Sequence, residues 1–257
     1  MPNAALKADP NRHIKIIASL SSTRELLSPL AHQADALEIR LDLITEPILE
    51  ALQTLRNTFD GPIILTIRSS EEGGAYAGGT FGWWDKINSY IDYADLIDLE
   101  IRFKEHAKQV RSHNKKIIAS CHQNCMPDDD ELYALIEELH SFGDIVKIAV
   151  QPQSKADLLR LCAITASCPY PIITSVTGTV FRYARPLLCL FGSLYTYCYV
   201  HSETSPGQYS IKEMQLLAHL LSPGFVDPWF EGRPVRSGDA SEFYQRADIL
   251  QNKYTRS

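Results

Sequence analysis

Short apolar runs rich in β-branched residues recur along the chain and alternate with segments of helical hydrophobic period. The candidate strands are eight runs, at 14–20, 36–42, 62–68, 96–102, 116–122, 145–151, 171–177 and 195–200. Amphipathic patterns predict helices at 46–56, 128–140, 154–166 and 210–221. Strands that alternate with helices in this way predict parallel βαβ units.

Eight such units predict an α/β fold of the (β/α)8 TIM barrel class. The same alternation is compatible with an open doubly wound sheet, but no Gly-x-Gly-x-x-Gly follows the first strand. A chain of 257 residues fits one barrel domain. We expect that catalytic barrel at 1–224 and a C-terminal extension or linker of unknown role at 225–257, where Pro, Gly, Ser and charges replace any long amphipathic period.

Charged side chains collect at the C-terminal ends of the predicted strands. Glu38 and Arg40 share one face of the second run, Asp98, Glu100 and Arg102 share one face of the fourth, and the third and fifth end at Arg68 and His122. One such strand alone would be interpreted as having a water-facing side. Several together predict that residues distant in sequence meet at the C-terminal rim, where barrels have their active sites.

One lysine lies inside an otherwise apolar run. Lys147 shares a face of its strand with Ile145 and Ala149, and the opposite face is also apolar. Desolvation lowers the pKa of a lysine, and a neutral amine attacks carbonyl carbon, which indicates a Schiff-base lysine. A lysine on an edge strand that reaches solvent explains these residues equally well.

His122 lies beside Cys121, with Cys125 three residues further on. A structural zinc site would need a fourth ligand that the sequence does not offer, so we predict no metal. Imidazole titrates nearest to neutral pH, which makes His122 the candidate general acid/base.

Two loop regions add further candidate groups. A glycine-rich stretch at 69–82 follows the third strand and has Glu72 at its base; no Gly-Lys-Ser/Thr ends it, so we predict a rim loop rather than a phosphate loop. After the seventh and eighth strands come Arg185 and a turn that ends at Gln208. Barrels often bind anions at these two loops, and an arginine with amide and hydroxyl donors suits a carboxylate.

Composition restricts the partners. A net charge of -6 and a pI near 5.8 argue against a surface for nucleic acid or anionic membrane. No apolar run approaches the ~20 residues of a membrane span, and the N-terminus lacks the apolar core of a signal peptide. Six cysteines, mostly in apolar runs, suggest reduced thiols. We therefore expect a cytoplasmic protein.

The chain resembles the type I 3-dehydroquinate dehydratases (3-dehydroquinases) in seven segments that occur in the same order: LEIRLD, ILTIRSSEEGG, IDLEIRF, ASCH, DIVKIAVQPQS, RPLLCLFGS and SPGQ. The resemblance implies a lyase that dehydrates 3-dehydroquinate to 3-dehydroshikimate in the shikimate pathway, which supplies chorismate and the aromatic amino acids. It implies a small-molecule carboxylate substrate and no cofactor, and a homodimer is a possible assembly.

The resemblance also assigns roles to individual residues. Lys147 falls on the Schiff-base lysine, His122 on the catalytic histidine and Glu72 on the glutamate that accompanies it. Six residues match substrate-binding positions, namely Glu38, Arg40, Arg68, Arg185, Thr204 and Gln208. Thr204 stands where the family commonly has serine, and it keeps the hydroxyl.

Other functions are compatible with parts of this pattern. Another Schiff-base lyase of the class I aldolase type would keep the lysine. It would be expected to have phosphate-binding glycines after the seventh and eighth strands, which this sequence does not show. A non-enzymatic barrel has no reason to align a buried lysine with a histidine. Dehydratase domains of this family also occur fused ahead of a shikimate dehydrogenase domain, so the dehydratase half of a bifunctional protein is a further alternative.

Overall fold

All eight predicted strands form, as parallel neighbours in one curled sheet. The computed structural model describes residues 14–221, and within them the strands are β1 (Ile16–Leu20), β2 (Ala36–Arg40), β3 (Ile63–Thr66), β4 (Leu96–Glu100), β5 (Lys116–His122), β6 (Ile145–Val150), β7 (Ile172–Val176), β8 (Thr196–Tyr199) and β9 (Tyr209–Ser210). The two-residue β9, which lies beside β8, was not predicted, because two residues carry no hydrophobic period.

The order of the strands closes the sheet into a barrel. Hydrogen bonding follows chain order from β7 back to β1, and β1 then pairs with β8. The gap between β7 and β8 is bridged by the amide of Leu194, which donates to the carbonyl of Ile172 at 2.8 Å. A last strand beside the first does not fit an open doubly wound sheet, so the predicted (β/α)8 barrel is confirmed.

Helices connect successive strands. They are α1 (Thr23–Leu26), α2 (Leu49–Thr58), α3 (Thr80–Asn88), α4 (Ala107–Ser112), α5 (Asp129–Phe142), α6 (Lys155–Ser167), α7 (Ala184–Leu190) and α8 (Ile211–Leu221). The four predicted helices are all present, with shifted ends. Asp128 and Ser154, predicted as first helical residues, are instead N-caps whose side chains accept the backbone N–H of Glu131 and Asp157 in capping boxes.

The barrel interior changes character along its axis. Its lower layer, toward the N-terminal ends of the strands, is apolar and contains Ile17, Ala36, Ile64, Ile118, Ile173 and Tyr197. Two positions further along the strands, the inward positions become polar, because side chains alternate between the two faces of a strand. These buried polar residues include Ser19, Glu38, Thr66, Asp98, Ser120 and Lys147. The sequence thus concentrates charge toward the C-terminal rim.

Outside the strands, the inner faces of the helices pack on the outward strand residues as one large apolar core. No helix in the described part of the chain is long and apolar enough to cross a membrane. The expected extension at 225–257 lies outside the described residues, so the division at residue 224 stays a prediction.

Candidate active site

Lys147 is enclosed in the barrel rather than placed at an edge. Its side chain is 5% exposed, and its Nζ donates a hydrogen bond to Asp98 Oδ2 at 2.8 Å. A second carboxylate oxygen, Glu38 Oε1, lies 3.5 Å from the same nitrogen. The centroid of the Tyr197 ring lies 4.3 Å from it. The burial predicted from the strand pattern is confirmed, and the alternative of a lysine on an edge strand that reaches solvent is wrong.

The charge state of this lysine differs from the expectation. Burial by itself lowers the pKa of Lys147, but Asp98, Tyr197 and Glu38 together outweigh it and raise the pKa above its ordinary value. The prediction of a neutral resting amine was therefore wrong. Strand alternation revealed the burial of the lysine, but it did not reveal the two carboxylates on other strands that hold the proton.

Asp98 connects the cations of the site, although we had not predicted it as a site residue. Besides Lys147, it accepts hydrogen bonds from Arg68 Nη2 at 2.7 Å and Ser120 Oγ at 2.6 Å. Burial opposes its ionisation, but Arg68 and Lys147 hold the pKa of Asp98 well below its usual range. Asp98 is therefore a buried carboxylate anion, and its place in the period-2 polar pattern of β4 is the signal that could have identified it.

Arg68 links Asp98 to the histidine side of the site. Its Nη1 donates to Glu100 at 2.8 Å, to Ser120 at 3.0 Å and to Glu72 at 3.3 Å. With these contacts and Asp98, both terminal nitrogens of the guanidinium are occupied by protein groups. Arg68 was predicted to bind substrate; its observed contacts are with the site's own carboxylates.

His122 and Glu72 form a hydrogen-bonded pair. Glu72 Oε2 lies 2.8 Å from His122 Nδ1 and also accepts the backbone N–H of His122 at 3.0 Å. This oxygen is thus an acceptor, which places the imidazole hydrogen on Nδ1 and makes Nε2 the basic nitrogen. Burial, with Arg68 and Lys147 nearby, holds the pKa of His122 well below its usual value. The resting ring is neutral.

The glutamate of this pair is perturbed in the opposite direction. Burial raises the pKa of Glu72 to about 8; Arg68 opposes this rise, and the Glu100 and Asp98 carboxylates add to it. The chain reaches Glu72 through a 3-10 turn at Ser70–Glu72, in which the Ser69 side chain accepts the Glu72 amide. The next residue, Gly73, has a left-handed φ of 83° that favours glycine.

Glu38 and Arg40 follow each other on the inner face of β2 but have different partners. Glu38 accepts hydrogen bonds from Ser19 Oγ at 2.6 Å and Thr66 Oγ1 at 3.0 Å, which fix it beside Lys147. Arg40 forms a two-pronged ion pair with Asp42, at 2.9 and 2.8 Å, and its Nη1 lies 3.4 Å from the carbonyl oxygen of Thr204. Arg40 therefore connects β2 to the turn after β8.

That turn places Gln208 and Arg185 together. Thr204 donates to Gln208 Oε1 from its backbone nitrogen at 2.9 Å and from its hydroxyl at 3.0 Å. Arg185 is 3% exposed, and its Nη2 donates to the carbonyl of Pro206 at 3.1 Å. Its Nε is buried without a hydrogen-bond partner among the described residues. Burial lowers the pKa of Arg185 to about 10, so an anion placed here would compensate an incompletely paired cation.

The predicted residues, together with Asp98, form two groups. Lys147, Asp98, Arg68, Glu72 and His122 form an unbroken series of direct contacts, with Glu38 beside it. Thr204, Gln208 and Arg185 form the second group at the rim, which Arg40 contacts. Within the described residues, no three His, Cys, Asp or Glu side chains are placed to hold a metal ion.

One strand-end residue lies outside both groups. The fourth strand ends at Glu100 and continues as a 3-10 turn at Ile101–His106, so Arg102 leaves the inner face. Its guanidinium pairs with Glu71 near the surface. The expected alternation therefore held only for Asp98 and Glu100.

Comparison with known proteins agrees with this geometry. The family model of type I 3-dehydroquinase matches residues 15–223. The chain is 78% identical over 248 residues to a 3-dehydroquinate dehydratase of Methanospirillum hungatei, covering 96% of this chain and 97% of that protein. It is 37% identical over 209 residues to a 3-dehydroquinate dehydratase of Methanoregula boonei, covering 81% of this chain and all of that protein.

A solved structure shares the fold. The type I 3-dehydroquinate dehydratase of Clostridium difficile, crystallised with covalently modified comenic acid, superposes with a TM-score of 0.70 at 25% identity, over 82% of this chain and 92% of that one. The family match covers the barrel and both groups of site residues. The chain belongs to the type I 3-dehydroquinase family.

Proposed function

We propose that this chain dehydrates 3-dehydroquinate to 3-dehydroshikimate through a Schiff base on Lys147, with His122 as general acid/base. The observation that carries the proposal is the unbroken series of contacts from buried Lys147 through Asp98, Arg68 and Glu72 to His122. The activity follows the family, and the residue roles rest on chemistry.

The first step uses Lys147 as a nucleophile. The resting ammonium gives a proton to the ketone oxygen as its nitrogen attacks the carbonyl carbon, which forms a carbinolamine. A second proton from the nitrogen then lets that oxygen leave as water and gives a protonated imine. The iminium is an electron sink, so the proton on the adjacent carbon becomes acidic. Asp98 remains ionised beside the nitrogen and stabilises the cation at each stage, because its pKa is far below neutrality.

The second step uses His122 as a base and then as an acid. Nε2 takes the α-proton, which converts the iminium to an enamine. The enamine expels the β-hydroxyl, and the imidazolium supplies the proton with which it leaves as water. Water then hydrolyses the product iminium and regenerates Lys147. Glu72 holds Nδ1 throughout, so that the same nitrogen faces the substrate in both transfers.

The rim group would bind the substrate carboxylate. Arg185 is the best candidate because its guanidinium is buried with an unpaired Nε, whereas both terminal nitrogens of Arg68 already donate to carboxylates of the site. Gln208 and Thr204 lie next to it and can supply neutral polar contacts. Glu38, Arg40 and Arg68 would orient the ring hydroxyls of the substrate.

Two measurements test the proposal. Incubation with 3-dehydroquinate should produce the enone absorbance of the product. Borohydride added during turnover should reduce the iminium to a stable secondary amine, which peptide mass mapping should locate at Lys147. Lys147→Ala should give neither adduct nor turnover, while the exposed-lysine control Lys116→Ala should match wild type in both.

The histidine is tested in the same assay. His122→Ala should lower turnover by about 10²- to 10⁴-fold, the usual contribution of general acid/base catalysis. Adduct formation should persist longer in this variant, because proton removal follows condensation. An adduct on another lysine, or full activity of either variant, would contradict the assigned roles.

The context of the reaction is part of the same proposal. We place the chain in the shikimate pathway, in the cytoplasm, and as a homodimer. Complementation of a bacterial strain that lacks its 3-dehydroquinate dehydratase, scored by growth without aromatic amino acids, tests the pathway. Light scattering of the purified chain tests the assembly.

A further inference from the structure

Tyr197 is a buried aromatic residue that the proposed mechanism does not use. It lies in β8 at the upper edge of the inner apolar layer and is 5% exposed. Its hydroxyl is buried and makes no hydrogen bond of regular geometry within residues 14–221, although Lys147 lies near enough to act on it. A buried hydroxyl without a partner costs free energy. The contribution of this residue is therefore to be sought in its ring.

The ring belongs to a four-residue layer around the reactive nitrogen. In eight-stranded barrels, each interior layer takes one side chain from every second strand. Here the even strands β2, β4, β6 and β8 contribute Glu38, Asp98, Lys147 and Tyr197. Nζ lies 3.5 Å from the Glu38 carboxylate, 2.8 Å from Asp98 and 4.3 Å from the ring centroid of Tyr197. Two anions and one aromatic face thus enclose the cation.

We propose that Tyr197 is a positioning residue that holds the Lys147 nitrogen over its ring face, first as the ammonium and then as the iminium. This inference rests on the proposed Schiff-base function. A lysine ammonium has three N–H donors, whereas the iminium has one, so condensation removes donors that the carboxylates use. Attraction to a ring face depends on the positive charge and not on an N–H. The ring therefore stabilises the nitrogen after the hydrogen bonds have changed.

Other charged groups also act on Lys147 and must be held constant in a test. They are Glu38 on β2, Arg68 just after β3, Asp98 on β4 and His122 at the end of β5. Substitutions at position 197 on β8 leave all four in place. A change in the titration of Lys147 in such variants therefore reports the ring itself.

The experiment compares side chains at position 197 that differ in the ring and the hydroxyl. Tyr197→Phe keeps the ring, and Tyr197→Met keeps apolar volume without it. Ile173→Val, in the apolar cluster that Tyr197 also contacts, is the control for loosened packing. For each protein, kcat, KM and the pH of half-maximal borohydride trapping are measured, together with the melting temperature.

We expect Tyr197→Met to lower kcat about tenfold and to move the trapping midpoint down by about one pH unit, since a desolvated cation–π contact contributes about that much. The midpoint falls because loss of a cation-stabilising group lowers the pKa of Lys147. Tyr197→Phe should keep the wild-type midpoint. Ile173→Val should keep it too, with a lower melting temperature.

A second series keeps the shape of the residue. Fluorinated phenylalanines introduced at position 197 weaken the negative ring face stepwise, and kcat should fall with each added fluorine. The inference is overturned if Tyr197→Phe loses as much as Tyr197→Met, because the hydroxyl would then be responsible, or if fluorination changes nothing. Absence of any adduct in wild type would instead refute the Schiff-base proposal itself.

Discussion

Replacing Asp98 with asparagine tests whether one carboxylate keeps the reactive lysine charged. Asparagine preserves the shape and one acceptor oxygen but removes the negative charge that Lys147 and Arg68 share. Both cations lie within 2.8 Å of this carboxylate, and all three side chains are at most 5% exposed. The substitution therefore leaves two neighbouring cations with fewer anions in a place that water hardly reaches.

The size of the effect follows from the distances. Two unit charges about 4 Å apart attract by about 4 kcal/mol at an effective dielectric constant of 20, which corresponds to about three pKa units. Glu38 remains near Lys147, but burial and Arg68 both favour the neutral amine. We expect the pKa of Lys147 to fall below its ordinary value, and the free energy of unfolding to fall by about 3–5 kcal/mol, as for other broken buried pairs.

The pH dependence has a definite sign. Because the pKa of Asp98 is lowered in the folded protein, its stabilising contribution is present above the unfolded value of about 3.9 and is lost as the pH falls through the folded value. The stabilities of wild type and Asp98→Asn should therefore converge in strong acid and differ fully at neutral pH.

Urea unfolding at several pH values measures the stability, and the pH of half-maximal borohydride trapping measures the lysine. Glu138→Gln is the control, because Glu138 forms a 2.9 Å ion pair with Lys104 at the exposed surface and should contribute at most about 1 kcal/mol. An Asp98→Asn protein that is as stable as this control, and that traps substrate with the wild-type midpoint, would refute the argument.

Three further substitutions have distinct expected outcomes. Glu72→Gln should have the kcat/KM of wild type at pH 6, where Glu72 is protonated. At pH 9 its kcat/KM should be about tenfold lower than that of wild type, because the ionised Glu72 of wild type makes His122 more basic. Equal pH profiles of kcat/KM for the two proteins would count against this. Arg185→Met should raise KM about 10- to 100-fold, with no loss in melting temperature, since it removes a buried, incompletely paired charge. Gly207→Ala should raise KM and lower the melting temperature, because φ at Gly207 is +80° and an added Cβ would clash with the carbonyl oxygen of Gly178. Gly79→Ala is the control and should change neither quantity, because no atom lies within 4 Å of a Cβ added there.

The hydrophobic pattern predicted the barrel because parallel strands buried on both faces produce continuous apolar runs. It could not fix where a strand ends. The fourth run was predicted to continue to Arg102, but the backbone turns after Glu100, and an arginine expected at the rim pairs at the surface instead. Helix starts were predicted one residue early where the capping side chain itself was counted as helical.

The site was predicted as a set of residues but not as a network. Alternation along β6 predicted that Lys147 is buried, but the charge of Lys147 depends on Asp98, which is 49 positions away in the sequence. The family resemblance assigned Arg68 to the substrate, but the sequence did not show that its guanidinium also contacts three carboxylates and a serine hydroxyl. Contacts between residues on different strands depend on the tertiary structure. A single sequence shows which residues are present, but it does not show the strand register that brings them together.

A charged lysine beside a neutral histidine is compatible with the proposed Schiff base because condensation conserves charge. An ammonium and a neutral ketone give an iminium and water, so the site holds one positive charge on the nitrogen before and after the step. Asp98 and Glu38 disfavour only the neutral amine in between. In the proposed mechanism, His122 is a poor acceptor for the proton that the ammonium gives up, because its pKa is well below its usual value, and the proton goes instead to the carbinolamine oxygen and leaves with it as water. On this proposal the imidazole would stay neutral until the iminium exists, which is when a base is needed for the α-proton.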